Sequence, residues 1–110
     1  MVMARVFIIE GNQETIYSLQ KKIERIGHEI VGKSLSSNGA IEKIKVCNPE
    51  IILLDISLDQ EDGGVLLTKH LHKELEVSII YLTTLSIENG IKNTLFTQPV
   101  NYLLKPIDRF

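Results

Sequence analysis

The sequence predicts an α/β fold: a doubly wound parallel sheet with helices on both faces. Three observations predict it. Short runs rich in Ile, Val and Leu alternate with helix-period stretches from one end of the chain to the other. Those runs are apolar at consecutive rather than alternate positions, which is the pattern of strands buried on both faces. Cap and turn residues such as Asn12, Gly27 and Asn48-Pro49 fall between the runs and the helices. Parallel strands joined by helices need crossover connections, and right-handed crossovers place helices on both sides of the sheet.

Each element follows from local chemistry. The first strand covers residues 5–10. Asn12 can cap the helix behind it, whose buried stripe is Ile16, Leu19, Ile23 and Ile26 and whose stop is Gly27. Residues 28–33 form a short second strand. Ser37 or Asn38 opens a second helix with Ile41, Ile44 and Cys47 facing inward, and Asn48-Pro49 ends it, because the residue before a proline is pushed out of helical geometry. The third strand is 50–55. A polar loop over 57–63 leads to a helix over 65–75 and a fourth strand over 77–83. Ser86 caps a weaker helix over 87–96, in which Gly90 costs about 1 kcal/mol relative to alanine. The fifth strand is 100–104. Only six residues follow Leu104, too few for a helix that would return over the sheet. The reading is one domain over 1–110, cut before its last helix, in preference to a partner that covers the sheet.

Composition narrows the function classes. At 110 residues and 44% apolar, the chain is long enough for one self-sufficient core and too apolar for a disordered tail. A net charge of −2 without a basic cluster argues against direct nucleic-acid contact. No apolar stretch approaches the ~20 residues needed to cross a bilayer, and the first residues lack a signal-peptide layout, so no membrane insertion and a cytoplasmic location are expected. The lone Cys47 reads as a small core side chain rather than a reactive thiol. His28 falls in a turn, and His70 and His72 do not share a helix face as a metal-binding pair would.

The chemistry lies at the strand ends. The first strand ends in Glu10, the third in Asp55, and the fifth runs into Lys105-Pro106. Ligands of open parallel sheets bind beyond the carboxyl ends of the strands. Two carboxylates and an ammonium meeting there suit a divalent cation and a phosphoryl group. On the residues alone, plainer roles stay open: Asp55 as a turn cap, Lys105 as a surface lysine, Thr83 as a strand-end residue, Tyr102 as static packing and Asp62 as a solvated loop acid.

With Glu10-Gly11, Asp55, Asp62-Gly63, Thr83 and Lys105-Pro106 in this order, the chain resembles the receiver domain of two-component response regulators over nearly its whole length. The resemblance implies a flavodoxin-like five-stranded sheet of order 2-1-3-4-5, lacking here the fifth helix. It implies a regulatory phosphoacceptor domain rather than an enzyme. Asp55 would take a phosphoryl group from a histidine kinase or a phosphotransfer protein. Mg²⁺ would be held by Glu10, Asp55 and the backbone carbonyl of Ser57, and Lys105 would neutralise the phosphoryl charge. Thr83 and Tyr102 would act as the switch that alters a protein-interaction face, with a homodimer as one possible output.

The chain also departs from the family pattern. Gly11 stands where the family usually has a metal-binding acid, and Asn12 is the nearest substitute oxygen. Asp59 and Gln98-Pro99 replace other usual residues. Leu85 puts an apolar side chain where the family often orients attacking water, which implies an acyl phosphate that lasts longer than seconds. Gly11 keeps a second reading open, a pseudo-receiver that binds partners without phosphorylation. A flavin-binding or phosphatase role fits poorly. The segment Glu10-Gly11-Asn12-Gln13-Glu14 is acidic where a flavin phosphate would sit, and Ser57 stands where a dehalogenase-type phosphatase needs a second aspartate.

Overall fold

The computed structural model describes residues 3–55, 63–83 and 101–104, with the backbone alone at 63–65, 83 and 101–104. Five strands, β1 (Arg5–Ile9), β2 (Glu29–Ser34), β3 (Ile51–Asp55), β4 (Ser78–Thr83) and β5 (Asn101–Leu104), form one sheet. Three helices are described: α1 (Gln13–Arg25), α2 (Ala40–Cys47) and α3 (Gly63–Glu74). The strand order is β2-β1-β3-β4-β5, and all four pairings are parallel. The expected helix over 87–96, and Ser86 before it, lie outside the described residues.

The sheet is packed on both faces, as the unbroken apolar runs require. Phe7, Ile9, Ile52, Leu54, Ile79 and Tyr81 meet Ala40 and Ile44 of α2 and Leu67 and Leu71 of α3. Val6, Ile8, Leu53 and Leu82 meet Ile16, Leu19 and Ile23 of α1 on the opposite face. Alternate residues of one strand therefore serve two cores. Tyr81 is the largest fully buried side chain among the described residues, and its hydroxyl donates to Thr68 Oγ1 at 2.9 Å, so the phenol enters the core with its polar end satisfied.

Helix boundaries show local sequence and packing agreeing in part. Asn12 caps α1 as expected: its Oδ1 accepts from the Thr15 N–H at 3.1 Å. At the other end Gly27 has φ 98°, its N–H donates to Glu24 C=O at 3.1 Å, and the His28 N–H donates to Ile23 C=O at 3.2 Å. That is a Schellman stop, which favours glycine at the left-handed position. Ile26, placed in the buried stripe by periodicity, is 41% exposed because it sits at the cap where the chain leaves the helix. The second helix starts later than expected. Gly39, at φ 76°, opens α2 without a side-chain cap, so neither Ser37 nor Asn38 takes that place. Asn48 ends α2 at φ 49°, directly before Pro49.

Strand β2 begins at Glu29 rather than His28, whose Nδ1 accepts from the Ala4 N–H at 2.9 Å. It carries a register break: Val6 pairs with Ile30 and Phe7 with Gly32, which leaves Val31 as the extra residue. A bulge on an edge strand makes it a poorer template for further pairing.

A surface clasp joins α2 to α3. Lys45 Nζ lies 3.0 Å from Glu74 Oε2, and His70 Nε2 lies 3.5 Å from Glu74 Oε1. The Lys45 hydrogen bond and charge, with a smaller contribution from His70, hold the Glu74 carboxyl below its ordinary pKa. A carboxylate whose pKa falls on folding adds stability above its unfolded value and loses it as pH drops through the lowered one. Glu74→Gln should therefore be slightly less stable than the parent at neutral pH, and the gap should close under acid. Urea denaturation of both chains from neutral pH downward checks this; a gap that widens on acidification contradicts it.

Candidate functional site

The register of the sheet assembles the acidic edge. Ile9 pairs with Leu54, so Glu10 follows β1 beside Asp55, the last residue of β3. Neighbouring strands lie about 4.8 Å apart. Side-chain alternation puts both residues on the α1 side, in sequence with Val6 and Ile8 on one strand and Leu53 on the other. Both carboxylates are buried, Glu10 at 2% and Asp55 at 6% exposure. They are two of only four buried polar or charged residues among those described, beside Ser34 and Thr68.

Glu10 is fixed by its surroundings. Its N–H donates to the Ser34 carbonyl at 3.0 Å, tying the end of β1 to the end of β2. Its Oε1 accepts from the Asn12 N–H at 3.2 Å. The Asn12 side-chain oxygen in turn holds the Thr15 N–H, and the Asn12 carbonyl accepts from the Ile16 N–H at 3.1 Å. Asn12 thus organises the start of α1. The oxygen that would have to replace the missing acid is therefore already accepting a helix N–H.

Gly11 is exposed and has space for a side chain. A Cβ built there meets only the Leu35 carbonyl oxygen, at the ordinary contact distance of 3.8 Å, and its φ is outside the left-handed region. Nothing in the backbone demands glycine here.

The remaining expected site residues are placed in part. Asp55 pairs with Leu82, and Leu82 with Leu103. Thr83 ends β4 opposite Leu104, and Tyr102 lies opposite Tyr81, so both belong to strands that run to the same edge. The side chains of Thr83 and Tyr102 lie outside the described residues, as do Ser57, Asp62 and Lys105 altogether. The sheet thus brings Glu10 and Asp55 together, and β5 ends at the residue before Lys105.

The donor set suits a small hard cation. Glu10 and Asp55 offer oxygen only, and Mg²⁺ is commonly bound through one or two carboxylates with water filling its shell. Among the described residues no group of three His, Cys, Asp or Glu side chains gathers. No described helix is long and apolar enough to cross a membrane.

Sequence comparison agrees with this geometry. The chain is 23% identical over 107 residues to the chemotaxis protein CheY of Treponema pallidum (strain Nichols), covering 96% of this chain and 74% of that protein. It is 32% identical over 78 residues to the response regulator protein VraR of Staphylococcus saprophyticus, covering 70% of this chain but only 37% of VraR. The crystal structure of a two-component response regulator from Clostridium difficile superposes with a TM-score of 0.83 at 26% identity, covering 96% of this chain and 86% of that one. The family model for the response regulator receiver domain matches residues 6–109, which is nearly the whole chain. An acidic pair seated by register at the carboxyl edge of a 2-1-3-4-5 sheet, together with that match, makes this chain a member of the response regulator receiver family of two-component signalling.

Proposed function

We infer that this domain accepts a phosphoryl group on Asp55 from a histidine kinase or a phosphotransfer protein, and that the modification alters a protein-interaction face. The observation that carries this reading is the burial of Asp55 beside Glu10 at the sheet edge. A carboxylate oxygen of Asp55 attacks the phosphorus of a phosphohistidine. The phosphorus–nitrogen bond breaks, the imidazole leaves and takes up a proton, and an acyl phosphate remains. Glu10, Asp55 and the Ser57 carbonyl would hold Mg²⁺, which when bound offsets the negative charge of the incoming phosphoryl group. The ammonium of Lys105 adds positive charge where it develops in the transition state. Thr83 would hydrogen-bond a phosphoryl oxygen and draw its loop inward, and Tyr102 would follow. The added dianion thereby biases a two-state element.

A second reading rests on Gly11. That position contributes no side-chain oxygen, and the Asn12 oxygen already accepts the Thr15 N–H. A site with one fewer acid binds Mg²⁺ more weakly, and a domain of this kind could recruit partners without phosphorylation. Incubation with acetyl phosphate and Mg²⁺, followed by intact-mass measurement, separates the two. The phosphoacceptor reading expects one added phosphoryl group that Asp55→Asn eliminates. No added mass from acetyl phosphate or from a phosphorylated kinase domain, with partner binding indifferent to Asp55→Asn, would establish the pseudo-receiver instead.

A further inference from the structure

A cavity of about 520 Å³ lies between α1, the end of β2 and the segment leading to α2. Ser34, whose carbonyl accepts from the Glu10 N–H, is part of its lining, so the cavity adjoins the acidic edge, but neither Glu10 nor Asp55 lines it. Its size falls within the range of roughly 300–1,000 Å³ typical of small-molecule sites. One side is apolar, formed by Ile16, Tyr17 and Leu35. Tyr17 is 60% exposed and Leu35 46% exposed, so neither serves the core. Lys21 Nζ sits 4.5 Å from the centre of the Tyr17 ring, an arrangement that holds the ring while covering one of its faces.

The charge of the cavity is one-sided. Lys33 and Lys43 both line it, and no carboxylate does, in a chain whose net charge is −2. Lys33 Nζ contacts the neutral Gln20 Oε1 at 3.5 Å, and neither lysine enters an ion pair among the described residues. Two ammonium groups beside an exposed ring and an exposed leucine match a ligand with a flat apolar body and a negative group. We propose that this cavity is a binding site for small aromatic anions, distinct from the phosphoryl site.

The test uses anilinonaphthalene sulfonate, followed by fluorescence in Mg²⁺-free buffer so that the result is independent of Asp55 chemistry. Its uncharged counterpart N-phenylnaphthylamine serves as the control. The sulfonate should bind one per chain, with a dissociation constant on the order of 10–100 μM for a ligand of this size. The uncharged probe should bind about tenfold more weakly, and the Lys33→Glu/Lys43→Glu double variant should weaken the sulfonate by about tenfold or more. Tyr17→Ala should also reduce affinity, while Val46→Ser, at an exposed apolar residue outside this cavity, should not. Both lysines are exposed, so the charge reversals leave the core untouched. The two-probe comparison on the unaltered chain stands even if a variant misfolds. Equal binding of the two probes, indifference to the charge reversals, or no binding at millimolar probe would each overturn the proposal.

Discussion

Replacing Gly11 with aspartate should raise Mg²⁺ affinity by about 10- to 100-fold, the range that supporting groups already command in metal sites. The expectation rests on space and chemistry together. A Cβ at Gly11 meets a single backbone oxygen at 3.8 Å, and the backbone there is not left-handed, so the fold accepts the side chain without strain. The added carboxylate would stand next to Glu10, whose neighbour across the strands is Asp55. Without metal, a third negative charge beside two buried carboxylates should destabilise the domain. With Mg²⁺ present, ligand binding to the native state should restore that stability and more. Magnesium titration followed by calorimetry, and thermal denaturation with and without Mg²⁺, read the two halves separately. Unchanged Mg²⁺ affinity in Gly11→Asp would mean that the edge does not form a metal site, and the phosphotransfer reading would fall with it. Gly11→Ala is the control: it adds the Cβ without the charge and should leave both readouts close to the parent.

Gly32→Ala should destabilise the fold by about 1–3 kcal/mol, the usual penalty for forcing a methyl group into a filled core. Gly32 pairs with Phe7 in the sheet. A Cβ at Gly32 would lie 2.6 and 2.8 Å from two Phe7 ring carbons and 2.9 Å from Cys47 Sγ. Phe7 is fully buried and packs among Ile9, Ile52 and the residues of α2, so its ring must shift within the core to admit the methyl group. The reason for this glycine is close approach, since its φ is not in the positive region. A smaller partner should relieve the clash. Phe7→Leu in the Gly32→Ala background should therefore cost less than it does alone, a non-additivity expected of residues in contact. Urea denaturation of the four chains measures this, and additive effects would show that the two residues do not share the space.

The two glycines show where sequence reading stops. Both stand in or beside a strand and look alike as letters. What separates them is the neighbour that the fold brings up: a lone carbonyl at Gly11, an aromatic ring and a thiol at Gly32. Cys47 was legible as a core-facing residue of the second helix, and as the last residue of α2 it packs, partly buried, against the core. That its sulfur would press against a glycine of the edge strand depends on how α2 crosses the sheet.

Much of the architecture was legible because it is written in nearest-neighbour chemistry. Strands with consecutive apolar residues must be buried on both faces, a side-chain oxygen before a helix seeks its first N–H groups, and a glycine after it takes the left-handed turn. Those rules located every described strand and helix to within a few residues, together with the Asn12 cap and the Gly27 stop. They erred where a boundary is set by packing, as at Ile26, which the cap turns toward solvent, and at Gly39, whose backbone opens α2 in place of a polar cap. The same chemistry marked Glu10 and Asp55 as the candidate site acids, because each ends an apolar run. Only the tertiary structure decided that they are neighbours, since adjacency of β1 and β3 is a matter of strand order and register over forty-five positions of chain. It also decided that the Asn12 oxygen belongs to the helix and that a lysine-rimmed cavity opens beside α1, because both depend on which groups the folded chain carries within a hydrogen bond's reach.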